Sequence, residues 1–171
     1  MHLYASGVGV VVQAPAKLNL FFEVLGKRED GYHEVETLVT PIDLYDTLYV
    51  APEEGERVSF SCHRVCGLWG ADGTWADHLP DGADNLVVRA VELLRRRAGV
   101  RTGARLHLVK RIPTAAGLGG GSSDAAAALV GANAVWRLGW SWQDLAHVGA
   151  ELGSDVPLFF AQGPAICRGR G

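Results

Sequence analysis

The segment KRIPTAAGLGGGSSDAAAAL, residues 110–129, places four glycines within five positions and then runs into alanines. Glycine admits positive φ and lets a backbone come close to a ligand, at a cost in chain entropy that needs a compensating reason. Alanine has the highest helix propensity, and Ser122 and Ser123 are favoured caps. A helix is therefore predicted to begin within a residue of Gly117, Gly119, Gly120 and Gly121. Its first turn would direct unpaired N–H groups and the positive end of the helix dipole into the loop. That combination is an anion site, for phosphate above all.

Two familiar phosphate loops do not fit. A Walker A loop requires Lys and then Ser or Thr after its last glycine, where this chain has Ser122. A dinucleotide fingerprint starts at Gly117 and Gly119 but breaks at Ser122, and residues 137–141 (RLGWS) offer no acid for a ribose. A glycine turn joining a strand to an alanine-rich packing helix is the plain alternative. Three other segments carry reactive groups beside turns: Ala14-Pro-Ala-Lys17-Leu-Asn19, Asp30-Gly31-Tyr32-His33 and Gly153-Ser154-Asp155-Val156-Pro157. Taken singly, each has an ordinary reading: a solvated lysine, a satisfied histidine, an aspartate bonding its own turn.

The elements that must position these groups follow from periodicity. Residues 8–13 read as a strand interrupted at Pro15. Leu18, Leu20, Phe22 and Val24 then alternate with Asn19, Phe21 and Glu23, as in a half-buried strand. Residues 35–50 contain two β-rich runs separated around Pro41 to Asp46, and 58–62 another strand. Residues 67–83, rich in Gly, Asp, Trp and Pro, read as a surface loop or insertion, with Trp69 and Trp75 as local packing. Asp84 is expected to cap a helix over 85–98 with Leu86, Ala90, Val91 and Leu94 on its apolar face. Residues 105–110 read as a strand entering the loop, and the following helix is expected to end near Gly139. Ser141 to Asp144 resembles a capping box opening a helix through Leu152. Residues 156–161 return to β, in a strand expected to reach Ile166 without a partner. Such blocks predict an α+β fold with a largely antiparallel or mixed sheet rather than a doubly wound one.

With 171 residues, 48% hydrophobic and 20% charged, the chain suits one domain of an ordinary globular protein. A net charge of −3 argues against nucleic acid as a partner, so an anion must be held locally. The most apolar stretches are too short to cross a bilayer and the start does not look like a signal peptide, so the expected setting is cytoplasmic, away from membrane. Three cysteines make no disulfide framework. Cys62, His63 and Cys66 lack a second matching ligand pair, with only His78 nearby, so no metal site is assigned.

In combination and in this order, the four segments are far more specific. APAKLNLFFEVLGKREDGYHEVETL (14–38), DNLVVRA (84–90), residues 110–129 and GSDVPLFF (153–160) together resemble the GHMP kinases. Gly31-Tyr32-His33 favours the branch whose acceptor is a diphosphocytidyl alcohol. The resemblance implies that residues 1–171 correspond to the family's N-terminal, ATP-binding domain, with a C-terminal domain absent from this chain. It further implies transfer of the ATP γ-phosphate to a tertiary hydroxyl of diphosphocytidyl methylerythritol, with Mg2+ held mainly by the nucleotide. By residue, it makes Asp155 the catalytic base and Lys17 the activating cation, with Asn19 and Asp155 at the acceptor and Tyr32 and His33 on the cytosine. Asn85, Leu86 and Lys110 fall around adenine, and Pro113, Gly117, Leu118, Gly119, Gly120, Gly121, Ser122 and Ser123 form the phosphate loop. The pattern departs at Asp124, in place of asparagine, which is expected to add negative charge near ATP. Another small-molecule kinase of the same type and a nucleotide-binding module without chemistry remain the alternatives.

Overall fold

The structure, a computed structural model, describes residues 1–65, 82–161 and 163–170. Most of the segment read as a loop, 67–83, therefore lies outside the described residues, as do Cys66, Trp69, Trp75 and His78. The chain forms β1 (His2–Ser6), β2 (Gly9–Lys27), β3 (His33–Glu53), β4 (Val58–Arg64), α1 (Leu86–Ala98), β5 (Gly103–Lys110), α2 (Gly120–Val135), α3 (Trp142–Ala150) and β6 (Ala165–Arg170). Sheet order is β1-β2-β3-β5-β4, with β6 added to β3. All pairings are antiparallel except β4 with β5, so the sheet is mixed, as predicted.

The prolines do not interrupt β2 and β3. β1 covers β2 only as far as Gln13, so Pro15 lies where one edge is unpaired. The far edge of β3 is shared, with β6 on residues 34–39 and β5 on 47–53, and Pro41 falls in the gap. A missing N–H costs little at such places. The expected alternation in residues 18–24 is also overturned. Leu18, Leu20, Phe21, Phe22, Val24 and Leu25 are all exposed: core burial on β2 ends at Ala16, and residues of both parities from 18 to 27 face solvent.

The core lies between the sheet and the three helices. Val12, Ala14, Leu48, Val50, Leu106 and Leu108 face Val87, Val91 and Leu94 of α1 and the alanines of α2. Asn85, rather than Asp84, caps α1, its side chain accepting from Val87 N at 2.9 Å. Asp84 instead ends a 3-10 turn over 82–84. The capping box at Ser141 and Asp144 forms as read. α2 ends at Val135, short of Gly139, where Trp136 caps it and Arg137 turns left-handed at φ 53°. Residues 157–160 form a 3-10 turn, not a strand: Pro157 presets its first φ, and Phe159 and Phe160 are buried by it. The strand follows at Ala165 and is paired with β3. No helix among the described residues is long and apolar enough to cross a membrane.

Small residues let α2 lie close on the sheet. A Cβ at Gly131 would meet Val50 Cγ2 at 2.6 Å and Val12 Cγ2 at 3.4 Å. Gly131→Val is expected to destabilise the chain by about 1–3 kcal/mol through overpacking. A urea titration checks this as a lower midpoint at unchanged slope.

Candidate active site at the glycine loop

β5 delivers the chain into the loop at Lys110, and a buried carboxylate sets its exit. Asp46, fully buried, binds Lys110 Nζ through Oδ2. Its Oδ1 accepts from Arg111 N at 2.5 Å and Ile112 N at 2.8 Å. Lys110 Nζ also donates to Asp124 Oδ2 at 2.7 Å, so the ammonium lies between two carboxylates. The Lys110 side chain is buried beneath the loop. Asp124 does not put its charge on the ligand side, since it too is buried. Burial, with the nearby charge of Asp46, outweighs the pull of Lys110 and raises the Asp124 carboxyl from 3.8 to about 7. Burial alone would lower Lys110, but the two carboxylates outweigh it and hold the ammonium above its ordinary value.

From Ile112 the chain winds through three left-handed residues, Ala115 (φ 55°), Gly117 (φ 73°) and Gly119 (φ 68°). Gly119, not Ser122 or Ser123, is the N-cap of α2, and no side chain caps the helix. Ser123 is buried, and its N–H is bonded to Gly119 O at 2.9 Å. The N–H groups of Gly120, Gly121 and Ser122 precede it and have no acceptor within the helix. The glycines themselves divide by cause. A Cβ at Gly119 would meet Phe159 Cζ at 2.9 Å and Lys17 Cγ at 3.0 Å, and one at Gly120 would meet Lys110 Nζ at 2.8 Å. Those two serve the protein's own packing. Gly121 is exposed and open, with nothing within 4 Å of a Cβ.

Lys17 is tied to this loop twice. Its backbone N–H donates to Leu118 O at 2.9 Å, and its side chain lies against Gly119. Its Nζ donates to Asn19 Oδ1 at 2.5 Å, and Asn19 Nδ2 donates to Thr37 Oγ1 at 2.7 Å. Asp155 is exposed on the turn closed by Val156 N to Gly153 O, held by the buried Val156 and Phe159 that follow it. Lys17 and Asp155 form no ion pair, yet both act on one thiol. Burial and Asp155 raise the Cys167 thiol above its ordinary value while Lys17 opposes them. A cavity of about 460 Å3 opens beside Lys17, walled by Pro15, Val39, Tyr45, Trp142 and Phe159.

The structure thus brings together Lys17, Asn19, Leu118, Gly119 and the turn after Asp155. Pro113 lies half-buried at the loop entry. Asn85 and Leu86 open α1, with the Asn85 side chain engaged in capping. Tyr32 and His33 are at the exposed tip of the β2–β3 hairpin, with Lys27 opposite His33. That is ten residues along β2 from Lys17, a contour of about 33 Å for a straight strand. The tip is ordered by Arg28, which pairs with Asp30 at 3.1 Å and Glu34 at 2.6 Å. Asp46 and Thr37 were missed in the sequence. Asp46 had a signal: it shares the inward parity of Leu48 and Val50, where a carboxylate needs a partner.

Three of these features, a mixed sheet backed by helices, a glycine-led helix start and a lysine strand bonded to it, meet at one place. The resemblance to the N-terminal domain of the GHMP kinases is matched by comparison with known proteins. The family described as "GHMP kinases N terminal domain" matches residues 85–163. Over 95% of its length the chain is 49% identical to a 4-diphosphocytidyl-2-C-methyl-D-erythritol kinase of Pelotomaculum thermopropionicum, covering 52% of that protein. A kinase of the same name from Synechococcus sp. strain CC9605 is 48% identical over 95% of the chain and is 49% covered. The crystal structure of a 4-(cytidine 5'-diphospho)-2C-methyl-D-erythritol kinase superposes on 93% of the chain with a TM-score of 0.71 and 40% identity, 52% of it being covered. The chain spans about half the length of the curated relatives it matches.

The Asp124 carboxyl gives a pH test. Its pKa is higher folded than unfolded, so the folded chain binds the extra proton and stability falls as pH rises from about 4 to about 7. Asp124→Asn keeps an acceptor for Lys110 and adds a permanent donor toward Asp46. Urea midpoints at pH 5 and pH 8 are expected to show the parent losing on the order of 2 kcal/mol, with most of that loss absent in the variant.

Proposed function

We propose that this chain forms the ATP-binding part of a kinase that phosphorylates the tertiary 2-hydroxyl of 4-diphosphocytidyl-2-C-methyl-D-erythritol. In this reading residues 1–171 act as one N-terminal domain. The observation that carries the reading is the double attachment of Lys17 to the Leu118–Gly119 turn, directly before the unpaired N–H groups of Gly120, Gly121 and Ser122. A cation and three backbone donors at one helix end suit a phosphoryl group in transit. The names of the relatives supply the acceptor.

In this mechanism Asp155 accepts the proton of the tertiary hydroxyl, a step of about 10²- to 10⁴-fold in rate. Lys17, with Asn19 fixing its ammonium, stabilises the developing alkoxide. In this reading the cavity beside Lys17 holds the acceptor's carbon skeleton. The loop amides from Gly119 to Ser122, with Ser123 behind them, receive the phosphates. Pro113, Gly117 and Leu118 shape the approach, and Asn85 and Leu86 flank the adenine. Tyr32 stacks on the cytosine and the backbone at His33 reads its polar edge. Magnesium brought with ATP neutralises phosphate charge and is held chiefly by nucleotide oxygens and water. Lys110 secures the loop from beneath, through Asp46 and Asp124.

The decisive measurement is ATP-dependent phosphorylation of the diphosphocytidyl alcohol. Asp155→Asn is expected to lower kcat at least about a hundredfold with ATP affinity nearly unchanged; equal turnover removes Asp155 as the base. Gly121→Ala separates ligand from fold, because that position is helical and open. It is expected to raise chain stability by up to about 1 kcal/mol while weakening ATP binding. Unchanged ATP affinity, read by calorimetry, counts against close phosphate approach.

A further inference from the structure

Thr37 is buried on β3 and is given no role by the resemblance. Its hydroxyl meets two groups, the Phe21 carbonyl oxygen at 2.6 Å and the Asn19 amide nitrogen at 2.7 Å. A carbonyl oxygen can only accept, so the single hydroxyl proton of Thr37 is committed to Phe21. What remains on Thr37 is acceptor capacity, which matches only the NH2 side of the Asn19 amide. The two ends of an asparagine amide are otherwise easily interchanged, and here the Phe21 carbonyl decides between them. Oδ1 must then point away from Thr37, the orientation in which it receives Lys17 Nζ at 2.5 Å. Reversed, the amide would set an NH2 against an ammonium and one acceptor against another.

The backbone builds this relay. β2 slips in register between Asn19, opposite Val39, and Phe21, opposite Leu38, leaving Leu20 as the extra residue. Bulges of this kind re-aim side chains. The slip sets the Phe21 carbonyl and the Asn19 amide on the same hydroxyl.

We infer that Thr37 is a positioning residue: by accepting from Asn19 it fixes the amide that holds the Lys17 ammonium against the glycine loop. The effect on turnover rests on the proposed role of Lys17; the relay itself rests on the geometry alone. Thr37→Val keeps the shape and removes the acceptor, whereas Thr37→Ser keeps the hydroxyl and loses only a methyl.

The chain has three lysines, which makes Lys17 readable by competitive acylation and mass spectrometry. Lys110 is buried and Lys27 is an exposed internal reference. The Lys17-to-Lys27 labelling ratio is expected to rise about threefold or more in Thr37→Val and to stay at the parent value in Thr37→Ser. In turnover, kcat is expected to fall about tenfold in the valine variant, with KM for ATP unchanged and recovery in the serine variant. In the parent chain, the Asn19 side-chain amide protons are expected to exchange at least about fivefold slower than a free amide, a measurement that needs no variant to fold. An unchanged labelling ratio in folded Thr37→Val, a serine variant behaving like valine, or free exchange at Asn19 would each overturn the inference. If the parent transfers no phosphate, the proposed function fails while the labelling and exchange results still decide on Thr37.

Discussion

The fully buried Asp46 carboxylate is the point on which the site depends. It takes the Lys110 ammonium and the N–H groups of Arg111 and Ile112, where β5 stops pairing and the loop begins. Without it, two backbone donors would be left in the interior without their acceptor, and the ammonium would keep only Asp124. Breaking one partner of a buried pair typically costs about 3–5 kcal/mol. Through Asp124 the same ammonium reaches α2 just past its first turn. The end of the sheet, the entry of the loop and the start of the helix are thus joined at one cluster, and Gly120 has no side chain because Lys110 occupies the space beneath it.

This arrangement separates charge by function. Asp46 and Asp124, the acidic groups beneath the loop, are turned inward and matched to Lys110, so the outward side presents backbone donors and Lys17, with Asp155 as the exposed acid. A chain with net charge −3 thereby offers an anion a locally favourable surface. The second support, from Thr37 through Asn19 to Lys17, is neutral until its last member and is governed by donor and acceptor count. One support fixes the floor of the site, the other its wall.

Much of this was legible in the sequence. The mixed sheet, α1, β5, the glycine-led start of α2 and the capping box of α3 follow from periodicity and cap chemistry, which act over a few residues. Continuity of β2 and β3 did not, because whether Pro15 and Pro41 interrupt a strand depends on which neighbour is missing there. The exposure of residues 18–25 was hidden for a related reason: how far along β2 the core extends is set by tertiary packing, not by the residues of the strand itself. Residues 157–160 contain two phenylalanines and read as β, but Pro157 and the packing of Phe159 and Phe160 favour a tight turn. In the site, the motifs located Lys17, Asn19 and the loop. Lys110 and Asp124 were also located, but their side-chain directions were not, since both depend on Asp46, more than sixty residues before Lys110.

The helix that carries the free amides is buried along most of its length, from Ala125 to Ala132, between the sheet and its two neighbouring helices. Such an element cannot shift without opening the core, so its interior peptide groups exchange hydrogen only when the whole unit unfolds. Adjustment to a ligand is left to the short exposed arc at residues 115–117, before the cap. The donors of α2 therefore behave as a fixed post, and induced fit here is confined to a few torsions of that arc.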